Sequence, residues 1–185
     1  MLHMEQKDYK LEIVLLLLKG ELHAREIARN LKTNHMTISR KLKELFKKNI
    51  IDYNTKGRNK VYFLKNTAEA KNYVFMAERY KFLKTIEKYP LLRSVLEKIQ
   101  ENKKVKLALL FGSYSKDLAK EKSDIDIYVD TEDRELKKQL SEIDSKLNIK
   151  IGRFTSSSLL IKEIIKNHVI IKGDEIYYEK NKIFS

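Results

Sequence analysis

Apolar residues recur along this chain with two periods, and each change of period marks a new element. Over residues 8–19, Leu11, Val14, Leu15 and Leu18 fall at helical spacing, and Gly20 closes the run. A short helix over about 23–31 turns Ile27, Ala28 and Leu31 inward. Lys32-Thr33 turns the chain. Asn34 is placed to cap a helix over about 35–48 that buries Ile38, Leu42 and Leu45. Residues 50–53 and 61–64 read as strands on either side of the basic, glycine-containing stretch 54–60. Asn66-Thr67-Ala68-Glu69 reads as a capped helix start, with Asn66 as cap. The helix runs to about Tyr89, before Pro90. Its apolar and aromatic residues, among them Tyr73, Val74, Met76, Phe82 and Leu83, wrap more than one face, so it needs two partners. A helix over about 91–101 follows, with Leu92, Val95, Leu96 and Ile99 inward.

The last eighty residues alternate strands and helices. Residues 105–111 predict a strand, broken at Gly112-Ser113, and a short helix over about 114–120. The next strand covers 125–129. Asp130, Glu132 and Asp133 then open a helix, where acids suit the N-terminal dipole. Leu136, Leu140, Ile143 and Leu147 continue it at i, i+4, i+7 and i+11. A strand over about 148–154 and a helix near 158–167 precede the closing apolar stretch, 169–178. The expected architecture is two domains: a mostly helical one with a β-hairpin over 1–65, and a small α/β one with a mixed sheet over 91–185. Residues 66–90 form a connector helix and a candidate dimerisation element.

Composition fits this picture. The chain has 185 residues, 42% hydrophobic and 35% charged, which suits one globular domain or two small ones. No apolar run approaches the roughly 18 residues that cross a bilayer. Charged residues Glu5, Lys7, Asp8 and Lys10 precede the apolar run 13–18, unlike a signal peptide. Cysteine is absent, which excludes disulfides and thiolate metal sites. A cytoplasmic protein is expected, with no membrane partner. Net charge is +13, and its distribution is uneven. Residues 1–66 carry 15 Lys and Arg against 7 Asp and Glu, whereas residues 105–185 carry 15 against 14. The basic excess is N-terminal, which points to a polyanion partner at that end.

The helix over 35–48 carries His35, Ser39, Arg40 and Lys43 on its polar face. Two short helices joined by a tight turn, followed by a hairpin, give the run AREIARNL…TISRKLKEL…IIDYNTKGRNKVYFL. Over residues 8–65 this resembles the winged helix-turn-helix family. The resemblance implies that the second helix enters the major groove of duplex DNA and that the wing touches backbone or minor groove. Ser39, Arg40 and Lys43 can then reach base edges or phosphates, and Lys56, Arg58 and Lys60 can reach phosphates. DNA readers of this kind bind as dimers on two half-sites, so a homodimer is expected.

The second constellation lies in GSYSKDLAKEKSDIDIYV. Side chains alternate along a strand, so Asp124 and Asp126 share one face while Ile125, Ile127 and Val129 point to the core. Two adjacent carboxylates repel unless a cation lies between them, and their oxygens suit Mg²⁺ or Mn²⁺ with a nucleotide's phosphates. Gly112-Ser113, at the end of the neighbouring strand, allows the backbone to approach a phosphate. Phe111-Gly112-Ser113 followed by Asp124-Ile125-Asp126-Ile127 resembles the nucleotidyltransferase superfamily that includes DNA polymerase beta, over residues 91–178. That resemblance implies transfer of a nucleotidyl group from a nucleoside triphosphate to a hydroxyl, with two metal ions held by three carboxylates. Gly112, Ser113, Asp124 and Asp126 then occupy catalytic positions, with Gly112 and Ser113 on the nucleotide and Asp124 and Asp126 on the metal. The third carboxylate is expected from the strand 147–154, which contains no acid; Asn148 or Lys150 takes its place. Two functions remain open. One is a DNA-binding regulator whose second domain binds a metal-nucleotide with weak or no turnover. The other is an active transferase acting on a protein or other hydroxyl acceptor, resembling antitoxin-type minimal nucleotidyltransferases.

Overall fold

A computed structural model of the chain describes residues 7–155 and 157–184. It divides into two compact units, the first ending at Ala77 and the second beginning at Glu78. No helix among the described residues is long and apolar enough to cross a membrane.

The first unit opens with α1 (Tyr9–Leu17), capped by the Asp8 carboxylate, which accepts from the backbone N–H of Lys10 and Leu11. Its buried residues are Leu11, Ile13, Val14 and Leu17, so Leu15 and Leu18 are not the inward pair that spacing predicts. The run 13–18 is apolar around the whole helix, and tertiary packing alone chooses the face. β1 (Leu22–His23) leads into α2 (Ala24–Asn30), where the Glu26 carboxylate accepts from the His23 N–H. Asn34 caps α3 (His35–Lys47), its side-chain oxygen accepting from Thr37 N–H at 2.8 Å. α3 buries Ile38, Leu42 and Leu45, as its spacing predicts.

β2 (Ile51–Lys56) and β3 (Asn59–Leu64) pair antiparallel from Ile51↔Leu64 to Lys56↔Asn59. Both strands extend into the stretch expected to be loop. Only Gly57 and Arg58 form the turn, with Gly57 at φ +63°, the left-handed conformation that two-residue hairpins require. β1 adds to β3 as a third, antiparallel strand.

The division between units falls inside α4 (Ala68–Lys88). In the first unit its start is held by Thr67 rather than by Asn66. The Thr67 hydroxyl accepts from Ala70 N–H and donates to the Asn49 carbonyl at 2.7 Å. Ala70, Val74 and Ala77 are buried there.

In the second unit the later part of α4 contributes Phe82 to the core and Arg79 to an ion pair with Asp174 at 2.6 Å. α5 (Leu92–Glu101) buries Leu92, Val95, Leu96 and Ile99. β4 (Ala108–Leu110), the single-turn α6 (Gly112–Ser115) and β5 (Ile125–Asp130) come next. α7 (Arg134–Ser141) is capped by Asp133 alone, which accepts from Glu135 and Leu136 N–H. Asp130 ends β5 and is not a helix-start acid. α7 is also shorter than its leucine spacing predicts, because Leu147 begins β6 (Leu147–Gly152). α8 (Leu159–Lys166), β7 (Val169–Lys172) and α9 (Asp174–Asn181) complete the unit.

The sheet order is β6-β5-β4-β7, with β5 and β6 parallel and the other pairs antiparallel. One face packs Ala108, Leu110, Ile125, Ile127, Val129, Ile149, Val169 and Ile171 against α5 and α7. The other face carries Asp126, Tyr128 and Asp130 of β5, as strand alternation requires.

Candidate nucleotide site and nucleic-acid interface

The candidate nucleotide site is assembled by strand register. β4 runs antiparallel to β5 with Leu110 opposite Ile127, and Phe111 N–H donates to the Asp126 carbonyl at 2.9 Å. The next residue, Gly112, lies at φ +69°. A Cβ at this position would collide with the Asp126 carboxylate. Glycine is required here twice over, by the left-handed backbone and by the close approach of the carboxylate. Gly112 and Asp126, fourteen positions apart, are therefore in contact.

The turn after Gly112 is fixed from several sides. Leu118 N–H donates to the Ser113 carbonyl at 2.9 Å. The Ser115 hydroxyl lies within hydrogen-bond reach of the Gly112 and Asn167 carbonyls, at 3.0 and 3.1 Å. Tyr114 is buried beneath the turn, edge-on to Tyr89 at 5.0 Å between ring centroids. Burial pushes the Tyr114 phenol upward from its ordinary pKa. Ser113, half-buried, stays at the mouth of the turn beside the Gly112–Asp126 contact.

Asp124 is exposed just before β5, and Asp126 is half-buried within it. β5 and β6 pair in parallel with Asp126 opposite Asn148 and Tyr128 opposite Lys150. The Asn148 amide donates to Asp126 Oδ1 at 2.7 Å. Of the two residues expected in the third-carboxylate position, Asn148 is the one beside Asp126. Lys150 is exposed two pairs further along.

Asp130 also shares the Asp126 face by the same alternation, although in sequence it looks like a helix-start acid. Its oxygens are already engaged: one accepts from Phe154 N–H at 2.9 Å and the other pairs with Lys180 at 2.8 Å. Glu175 is exposed on α9. No three acids or histidines among the described residues converge as a metal-binding group. The structure thus brings together the Asp126 carboxylate, the Asn148 amide and the Gly112 turn, with Asp124 exposed one residue before β5.

The basic residues of the first unit fall into engaged and unengaged sets. On α3, Arg40 and Lys43 are exposed and make no hydrogen bond or ion pair among the described residues. Ser39 lies 3.5 Å from the His35 ring, at the limit of a hydrogen bond. Lys41 faces Glu44 at 3.1 Å, and Glu44 is also 3.9 Å from Lys10. On the hairpin, Lys56 pairs with Glu21 at 3.3 Å and the Lys60 ammonium stacks 3.9 Å over the Tyr53 ring. Arg58 is exposed at the tip. Two of the three wing cations are therefore partly committed within the unit, which spacing along the chain does not reveal.

Comparison with known proteins agrees with this geometry. The family model "Polymerase beta, Nucleotidyltransferase" matches residues 93–176, and "Bacterial regulatory protein, arsR family" matches residues 8–53. No curated protein matches the chain. Among solved structures, the adhesin competence repressor AdcR of Streptococcus pyogenes is 17% identical, with a TM-score of 0.41. The overlap covers 49% of this chain and 69% of that one. The transcriptional repressor BigR of Xylella fastidiosa is 20% identical at a TM-score of 0.34, covering 37% and 67%. A homodimeric winged helix-turn-helix domain from Mycobacterium bovis, a possible ArsR-family regulator, is 22% identical at 0.32, covering 46% and 72%. Overlaps of this extent carry no conclusion of their own. The two family matches do: residues 8–53 are an arsR-family winged helix-turn-helix, and residues 93–176 are a polymerase beta-type nucleotidyltransferase domain.

Proposed function

We propose that this protein is a DNA-binding transcriptional regulator whose second unit binds a divalent metal ion with a nucleoside triphosphate and turns it over weakly or not at all. The observation that carries this reading is the Asn148 amide hydrogen-bonded to Asp126 where a third carboxylate is expected. The donor set fits one hard cation. Asp124 and Asp126 supply two anionic oxygen groups, and the Asn148 amide, whose N–H donates to Asp126, steadies that carboxylate. When bound, Mg²⁺ or Mn²⁺ would neutralise the charge of a triphosphate at this edge. Gly112 lets the backbone lie against Asp126, and Ser113 offers a hydroxyl donor to a phosphate oxygen. What the position beside Asp126 lacks, among the described residues, is a base. An acceptor hydroxyl must lose a proton, and neither a neutral amide nor the Lys150 ammonium can take it.

The intact Gly112-Ser113 turn packed on Asp126 supports the competing reading of an active transferase. Incubation with Mg²⁺ and labelled ATP or other triphosphates, with and without Asp126→Asn, separates the two. Covalent transfer of label that disappears in the variant sinks the weak-or-inactive reading. Reversible retention of intact triphosphate, lost in the variant, supports it.

For the first unit, Ser39, Arg40, Lys43, Lys56, Arg58 and Lys60 form the proposed DNA contacts. Each phosphate contact removed lowers the dependence of log affinity on log salt by about 0.9. Arg40→Ala with Arg58→Ala is expected to weaken duplex binding and flatten that slope. If both stay unchanged, this face does not read DNA.

A further inference from the structure

α3 carries an exposed stripe that the basic residues alone do not explain. Met36, Arg40, Lys43 and Lys47 follow one another at i, i+4, i+7 and i+11, on the side of the helix opposite buried Ile38, Leu42 and Leu45. Met36 is 76% exposed in the first turn of the helix. Arg40, Lys43 and Lys47 are exposed and make no hydrogen bond or ion pair among the described residues. The remaining lysine of the helix, Lys41, is turned aside to Glu44.

The chemistry of this stripe selects its complement. Three exposed cations call for a polyanion, and a thioether among them has nothing to offer a phosphate. In the major groove of duplex DNA the apolar feature is the C5-methyl group of thymine. The N-terminal residues of a recognition helix are the ones that reach base edges, and Met36 is the second residue of α3. We infer that Met36 is a specificity-determining residue that contacts a thymine methyl, while Arg40, Lys43 and Lys47 hold the helix in the groove. The inference rests on the DNA-reading function proposed above.

The test uses the full-length protein. Duplexes are selected from a random-sequence pool by wild-type protein, Met36→Ala and Met36→Leu. In a selected duplex, thymines are then replaced one at a time by deoxyuracil, which lacks only the methyl group. Wild type is expected to enrich thymine at one position per half-site, and deoxyuracil there is expected to weaken binding about fourfold, the factor for one buried methyl group. Met36→Leu should keep this dependence. Met36→Ala should lose both the thymine preference and the deoxyuracil effect while still binding DNA. Binding with no position sensitive to the methyl group, or sensitivity unchanged in Met36→Ala, overturns the inference and leaves the DNA-reading function standing. Failure of wild type to retain any duplex overturns both. Met36 lies on the surface, so its replacement leaves the core of the unit intact.

Discussion

Gly112 and Asn148 decide what the Asp126 carboxylate can do. Gly112→Ala puts a methyl group into that carboxylate and an L-residue at φ +69°. The backbone alone costs about 1–2 kcal/mol. The expected outcome is loss of metal-nucleotide binding of tenfold or more, measured by calorimetry, with Asp126 displaced; unchanged binding contradicts the site. Asn148→Asp replaces a hydrogen-bond donor by a second negative charge beside Asp126. Without metal, the variant should melt below the wild type. With Mn²⁺ it should recover more than the wild type does and bind the ion more tightly. Equal melting in both conditions would show that this position does not face a cation. The residues of this site were legible to different degrees. Alternation predicts one shared face for Asp124 and Asp126, but β5 begins at Ile125, so only Asp126 is placed by the strand. Asn148 and Lys150 also share a face with each other, so only the pairing of β5 with β6 could choose between them. Asp130 was hidden because acids that end a strand look, in sequence, like acids that open a helix.

At the scale of elements, local signals were readable wherever polar and apolar faces differ. α3 and α5 bury the residues their spacing predicts. α1 does not, because an all-apolar run marks no face. β1, two residues long, carries no period at all and exists only through its partner β3. The caps give a direct check. Asn34→Ala removes the acceptor for Thr37 N–H at the start of α3 and should destabilise the first unit by about 1 kcal/mol in denaturant titration. No change would mean that packing alone sets the start of the helix. In the second unit, α9 buries Tyr177 and Tyr178. Burial, followed by the nearby Glu78 charge, raises the pKa of both phenols above the ordinary value of 10.0, and the Tyr178 hydroxyl donates to Glu78 at 2.8 Å. Burial likewise raises Tyr128 on β5, with Asp130 adding to it. A group whose folded pKa is raised favours folding below its unfolded pKa and loses that contribution as pH climbs toward the folded value. Stability of this unit should therefore be flat below pH 10 on account of these tyrosines and fall above it. Six of the ten tyrosines are not buried, so only part of the tyrosinate absorbance should wait for unfolding. All ten phenols ionising in the folded protein near pH 10 contradicts the burial of these rings.

At the scale of the molecule, charge and chemistry separate along the chain. The larger share of the basic excess lies in the first unit, with 16 Lys and Arg against 8 Asp and Glu, compared with 23 against 18 in the second, which holds the carboxylate edge. α4 carries exposed Met76 in the first unit and exposed Leu83 in the second, at 53% and 52% exposure. Each is a separate candidate contact in the homodimer we propose. Sedimentation equilibrium should give a dimer for the wild type and a monomer for Met76→Lys with Leu83→Lys; a variant that stays dimeric places the interface elsewhere. The second unit is proposed to hold a metal-nucleotide without passing it on. Equilibrating the full-length protein with Mn²⁺ and a labelled nucleoside triphosphate, then analysing the label after denaturation, decides this. The expected result is intact triphosphate, retained before denaturation, released by chelator and not retained by Asp126→Asn. Label bound covalently to an acceptor with pyrophosphate released, or no retention by the wild type, would contradict it.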